Sequence, residues 1–225
     1  MTTTINKNAI KCAVFDLDGT LLNTIKTINY YLNFALSKHG LSSVREEDCM
    51  QFVGDGAKKL ISRALDKVGA DSSLFDSVYK LYNDAYNSSP FYLTEVYDGI
   101  FDALIVMKKK GIKLAVLSNK PDFAVRATVS KFFPNCFDVV RGGIEGIPLK
   151  PSPNSLFDIL KQLGAAPAEA AYIGDSEPDV LTARSAEVGA AIFVSWGFRS
   201  ACQLKEAGAK TIISTPDEIL KIINV

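Results

Sequence analysis

From residue 97 onward, short apolar runs alternate with helical patterns, and this rhythm limits the possible folds more than any other feature of the chain. Strand-like runs recur at 112–117, 137–140, 171–173, 190–194 and 211–213, with one more far upstream at 11–15. Between the later ones lie helical segments. Residues 99–110 carry Ile100, Phe101, Leu104, Ile105 and Met107 and stop at Gly111. Residues 122–132 and 154–163 follow the same plan, the latter with Gly164 placed as a C-terminal cap, and 177–187 and 200–207 also fit. Strands alternating with helices predict a parallel sheet covered on both faces, so the expected fold class is α/β.

Residues 23–96 break the rhythm, with helical stripes and no strand. Ile28, Tyr31, Leu32, Ala35 and Leu36 form one stripe. Ala57, Leu60, Ile61, Ala64, Leu65 and Val68 form a second, and Leu74, Val78, Leu81, Tyr82 and Ala85 a third. A chain of 225 residues, 48% hydrophobic, can bury one good core and a smaller second unit. The expected division is a discontinuous core, 1–22 plus 97–225, interrupted by a helical unit at 23–96 whose return linker begins at Pro90.

Polar residues interrupt the pattern at the ends of these runs. Asp16 and Asp18 follow the first strand and point to the same side of an extended backbone, because side chains alternate with a period of two. Ser118-Asn119-Lys120 follows the second, Lys150 precedes Pro151, and Gly174-Asp175-Ser176-Glu177-Pro178-Asp179 follows the run at 171–173. Each has a structural reading as well. Asp-x-Asp-Gly is turn chemistry, Ser-Asn-Lys fits a plain turn, and Asp175 to Asp179 fits helix capping with Pro178 at the helix start. An open α/β sheet, however, binds ligands at the carboxyl ends of its strands, where these groups would collect.

In this order the four segments resemble the motifs of the haloacid dehalogenase superfamily of phosphohydrolases, and the resemblance spans essentially the whole chain. It implies a Rossmann-like core in three α/β/α layers, with 23–96 as an α-helical cap domain. Asp16 is then the nucleophile that forms a transient aspartyl phosphate, and Asp18 the acid that protonates the leaving alcohol and later activates water. Ser118 and the backbone amide of Asn119 would grip phosphoryl oxygens, and Lys150 would add a counter-charge and restrain Asp16. The implied cofactor is Mg²⁺, held by Asp16, the backbone carbonyl of Asp18 and Asp175, with Asp179 orienting that set. Dehalogenases of the superfamily lack an acid at the Asp18 position, which favours phosphate esters over carbon–halogen bonds.

Within the superfamily the chain is similar to the phosphoglycolate phosphatase-like branch, through Ser118-Asn119-Lys120-Pro121 and the loop Val53-Gly54-Asp55-Gly56. Lys120 is a further candidate for the phosphate site. Gly56 and Lys58 are candidates for contacts from the cap, where a helix start with nearby cations can hold an anion, against the plain reading of Lys59 and Arg63, four residues apart, as a solvated helix face. Two departures stand out: Asn23 where relatives commonly carry Asp, and Tyr97-Asp98-Gly99 in place of a proline-glycine. His39 and Trp196-Gly197-Phe198 read as structural. The implied substrate is a small phosphorylated metabolite, with phosphoglycolate first. Pyrophosphate or nucleotide hydrolysis, a β-phosphoglucomutase-like mutase and a non-catalytic phosphometabolite-binding protein are the alternatives.

Zero net charge offers no surface for a nucleic acid, and no apolar stretch reaches membrane-spanning length. Residues 1–8 are polar and lack the pattern of a signal peptide. Cys12, Cys49, Cys136 and Cys202 are scattered and form no zinc-site spacing, as expected for reduced thiols in a cytoplasmic protein. Whether the protein is a monomer or a homodimer is not written in the sequence.

Overall fold

A computed structural model describes residues 9–225, so the polar segment at 1–8 lies outside the described residues. Its centre is a six-stranded, all-parallel sheet. The strands are β1 (Cys12–Phe15), β4 (Lys113–Pro121), β5 (Val139–Gly143), β6 (Ala170–Gly174), β7 (Ala190–Val194) and β8 (Ile212–Ile213). They lie in the order β5-β4-β1-β6-β7-β8. β1 is central, with Cys12 to Phe15 in register with Lys113 to Val116 on one side and Ala170 to Ile173 on the other.

Every residue of β1 is fully buried, because the sheet is covered on both faces. Ala13 and Phe15 pack with Leu114, Val116 and Ile173 under α5 (Ile100–Lys109), α6 (Asp122–Phe132) and α10 (Asp217–Ile223). Cys12 and Val14 face the opposite way, with Ala115, Leu117 and Tyr172, under α7 (Asn154–Leu163), α8 (Glu177–Ser185) and α9 (Ala201–Glu206). The period-two alternation of strand side chains thus builds two cores on one sheet, giving the three-layer α/β class.

Residues 25–88 form a separate helical cluster of α1 (Ile25–Ser37), α2 (Glu46–Phe52), α3 (Ala57–Lys67) and α4 (Phe75–Ser88). The stripes at Ile28, Leu32 and Leu36, at Leu60, Ile61 and Ala64, and at Val78 and Tyr82 meet in one core. Phe198, from the loop after β7, packs into that core and ties the two parts together. The chain enters and leaves the helical part through a two-stranded antiparallel ribbon of β2 (Leu22–Asn23) and β3 (Glu95–Val96).

That ribbon, α2 and α10 are absent from the sequence reading, being too short to show a periodicity. Two strands also differ in extent. β4 runs on through Ser118, Asn119 and Lys120 to Pro121, with a register irregularity between Leu117 and Pro121. The site segment there is therefore strand, not turn. β5 starts at Val139 because Phe137 is drawn into the core and Asp138 accepts a hydrogen bond from the Leu114 amide at 2.8 Å. All four cysteines are free thiols. No helix among the described residues is long and apolar enough to cross a membrane.

Candidate active site

The strand order places the site. After β1 the chain builds outward through β4 and β5, then crosses to the other side of β1 to lay down β6, β7 and β8. The carboxyl ends of β1, β4 and β6 meet where that direction reverses, which is where open α/β sheets bind ligands. Asp16 and Asp18 leave the end of β1, Ser118 to Lys120 occupy the last residues of β4, and Asp175 follows β6. Lys150 arrives from the loop before α7, on a cis peptide bond to Pro151.

Asp16 is tethered through one oxygen. Its Oδ1 accepts from the Leu17 amide at 2.7 Å and from Lys150 Nζ at 2.9 Å. Its Oδ2 has no protein donor among the described residues. Burial lifts the Asp16 carboxyl well above the usual carboxylate range, Lys150 pulls it back, and Asp179 and Asp175 push it up again. Burial alone would lower the Lys150 ammonium, but Asp16 and Asp179, the latter at 2.7 Å, hold it above its ordinary value.

Asp175 is held from both sides. Thr20 Oγ1 donates to its Oδ1 at 2.8 Å and the Phe198 amide to its Oδ2 at 2.8 Å. Two glycines make room for this carboxylate. A Cβ on Gly19 would stand 2.3 Å from Oδ2, and Gly19 also adopts φ +90°, where side chains are strained. A Cβ on Gly197 would stand 2.3 Å from the Asp175 Cβ. Burial, then Asp179, raise Asp175 to about 7, against the hydrogen bonds from Phe198 and Thr20.

Asp16, Asp175 and Asp179 each offer a carboxylate oxygen within 4.8 Å of the others. Three buried acids with Lys150 as their neighbouring cation leave excess negative charge, which suits a hard divalent cation with oxygen ligands. Asp179 has little capacity left. Its Oδ1 accepts from Lys150 Nζ and from Tyr172 Oη at 2.8 Å. Its Oδ2 accepts from Ser176 Oγ at 2.5 Å and from the amides of Ser176 at 3.0 Å and Asp175 at 3.2 Å. Asp179 closes the N-terminus of α8 as well, with Ser176 as its N-cap, so capping and site support share one residue. Asp16 Oδ2 has no donor among the described residues and each Asp175 oxygen accepts a single hydrogen bond, so these two carboxylates keep lone pairs for a metal ion.

The Asp18 carboxylate stands outside that trio. Lys120 Nζ reaches its Oδ1 at 3.2 Å and donates to Tyr86 Oη, from α4, at 2.7 Å. The Lys120 side chain, 9% exposed, sits among these partners, although sequence reasoning ranks it below Lys150. Ser118 is buried and its Oγ accepts from the Lys120 amide at 3.3 Å. The Asn119 side chain is committed elsewhere. It donates to the carbonyls of Gly54 (2.9 Å) and Lys150 (3.0 Å) and accepts from the Lys150 amide (2.8 Å).

These groups open into a cavity of about 290 Å³ between sheet and helices, walled on the helical side by Leu60, Tyr79, Tyr82, Asn83 and Tyr86. Gly56 lines it; Lys58 is exposed and does not. Arg63 pairs with Asp55 instead, at 2.5 Å. Arg199 lines the cavity and sequence reasoning misses it, because a single arginine after Trp196-Gly197-Phe198 carries no motif of its own.

A family model described as haloacid dehalogenase-like hydrolase matches residues 13–193. The chain belongs to that family. Phosphoglycolate phosphatase 1 of Pseudomonas aeruginosa is 30% identical over 217 residues, 93% of this chain and 78% of the relative. Phosphoglycolate phosphatase of Haemophilus influenzae is 28% identical over 217 residues, covering 93% and 96%. A crystal structure of a Lactobacillus delbrueckii subsp. bulgaricus protein, provisionally described as a phosphoglycolate phosphatase, superposes with a TM-score of 0.90 at 33% identity. The superposition covers 96% of this chain and 99% of that one. As a haloacid dehalogenase-like hydrolase the chain is an enzyme.

Proposed function

We propose that this enzyme is a Mg²⁺-dependent phosphatase that hydrolyses a small phosphate monoester, phosphoglycolate first among them, through an aspartyl-phosphate intermediate. The observation that carries this reading is the one-sided tether of Asp16: Leu17 and Lys150 fix Oδ1 and leave Oδ2 as the attacking atom. The curated relatives named for phosphoglycolate hydrolysis support the substrate.

In the proposed reaction the Asp16 Oδ2 lone pair forms the bond to phosphorus as the bond to the leaving oxygen breaks. The Asp18 proton goes to that oxygen, so the alcohol departs neutral. Asp18, now a carboxylate, takes a proton from water, and the resulting hydroxide attacks the phosphoryl group. That step releases phosphate and regenerates Asp16. Ser118 Oγ–H, the Asn119 backbone amide and Lys150 Nζ hold phosphoryl oxygens, where developing charge is stabilised most effectively in a dry site. Asp16, Asp175 and the backbone carbonyl of Asp18 would hold Mg²⁺, which when bound supplies further neutralisation of the phosphoryl charge. Asp179 and Tyr172 position Lys150 and the Asp175 loop.

The helical part, 23–96, acts in this reading as a cap over the core formed by 1–22 and 97–225. It contributes Tyr86 and the Gly54–Gly56 loop around the leaving group, while Lys120 restrains Asp18 from below. The test is phosphate release, in Mg²⁺, from phosphoglycolate, pyrophosphate, nucleoside monophosphates and hexose phosphates. Phosphoglycolate is the expected best substrate and Asp16→Asn is expected to abolish turnover. Turnover that survives the substitution overturns the nucleophile assignment, and isomerisation without phosphate release would identify a mutase.

A further inference from the structure

Helix α2 is only seven residues long, and a helix leaves its last four carbonyls without intrahelical partners. Here five successive carbonyls from that end and the following loop each face a side-chain donor. Met50 accepts from Arg199 Nη1, and Val53 from Arg199 Nη2 at 2.7 Å, with Gln51 sharing the same nitrogen at 3.5 Å. Phe52 accepts from Arg63 at 2.8 Å and Gly54 from the Asn119 side chain at 2.9 Å. Arg63 belongs to α3, within the helical part. Arg199 and Asn119 belong to the sheet part, so four of the five carbonyls are held from across the cleft.

The other edge of the Arg199 guanidinium is anchored on its own side. Nε lies 2.9 Å from both oxygens of Glu177, the first residue of α8. The amide next to it, Phe198 N–H, is the donor that holds Asp175. One short loop therefore grips the Asp175 carboxylate with its backbone and the helical part with its side chain. The Arg199 side chain is 5% exposed, and a buried guanidinium is costly unless its fork of donors is satisfied. Its partners divide cleanly. Glu177 stays with the sheet part under any movement of the helices, whereas the carbonyls of Met50, Gln51 and Val53 leave with them and would be hydrated by solvent.

We infer that Arg199 is a positioning residue that latches the helical part over the Asp16–Asp175 cleft, with Glu177 holding the guanidinium ready when the latch is open. The kinetic consequence rests on the phosphatase reading above; the mechanical one does not. Arg199→Met keeps the length of the side chain and removes all of its donors. Hydrogen–deuterium exchange of the wild-type protein and this variant, both in Mg²⁺, should show amides at 49–56 exchanging at least about tenfold faster in the variant, with β1, β4 and β6 unchanged. For the ester that the wild type hydrolyses, KM should rise at least about fivefold, with a smaller fall in kcat.

Equal protection of 49–56 in the two proteins would overturn the latch. So would acceleration by one common factor over the whole chain, which marks a purely structural role. Should Arg199→Met fail to fold, Glu177→Ala decides the matter, since Glu177 is 40% exposed and its loss only frees Nε. That variant should accelerate exchange at 49–56 by a smaller factor, and no acceleration there refutes the inference. A wild type that hydrolyses no ester would sink the phosphatase reading while leaving the exchange result to judge the latch.

Discussion

Asp16→Asn should make the metal-free protein more stable while abolishing turnover. Asp16 is 7% exposed and shares its pocket with two other carboxylates whose oxygens lie within 4.8 Å. At an effective dielectric constant of about 20, each acid at that distance repels Asp16 by roughly 3.5 kcal/mol. Lys150 at 2.9 Å attracts it by about 6 kcal/mol on the same scale. The Coulomb terms nearly cancel, and the dehydration of a buried carboxylate tips the balance against the charge. An amide of the same shape escapes both, for a net gain of about 1–3 kcal/mol, or about 2–4 °C in Tm per kcal/mol for a chain of this size.

In saturating Mg²⁺ the ordering should reverse or close up, because the wild type gains a ligand bond that a neutral amide in place of the Asp16 carboxylate forms poorly. A metal ion at a hundred times its Kd contributes about 2.7 kcal/mol. Thermal denaturation of both proteins at pH 8, in EDTA and in excess MgCl₂, gives the four values required. A variant less stable than the wild type in EDTA, or an equal Mg²⁺ shift in both, would refute the charge-trio account.

Three further outcomes follow from the same geometry. In EDTA, Asp175 keeps its proton up to about 7 in the folded state but only to near 3.8 when unfolded. The native state therefore binds more protons over that interval, so the stability of the wild type relative to Asp175→Asn should fall as pH rises from about 4 to 7. Denaturant midpoints of both proteins at pH 5 and 8 measure this, and a rise instead of a fall contradicts it. Lys120→Met removes the donor that restrains the Asp18 side chain and should lower kcat/KM by about 10²-fold, whereas Tyr86→Phe, which removes only an acceptor from Lys120, should cost about tenfold. Equal losses in the two would show that Lys120 acts through Tyr86 alone. Gly197→Ala drives a Cβ into Asp175 and the Gly19 carbonyl, at 2.3 and 2.5 Å, and should cut kcat/KM by more than about 10²-fold. Unchanged Mg²⁺-dependent activity would show that the Asp175 position is not set there.

The sequence alone determined the α/β class, since unbroken apolar runs separated by amphipathic helices have few other solutions. It also placed Asp16, Asp18, Ser118 and Asp175 at strand ends, where local pattern and chemistry coincide, and marked Lys150 by its place before Pro151. Only the tertiary structure decided which of them meet, because contacts between residues 16, 150 and 179 depend on strand order, not on spacing. It separated Asp18 from the trio by giving it to Lys120, and it saturated Asp179 with donors from three segments. It exposed Lys58 and buried Arg199 in its stead, since a lone basic residue carries no periodic signal until its partners are in space. Sequence writes what lies along one strand or one helix face; the cavity between sheet and helices belongs to neither, and so its specificity was written only in three dimensions.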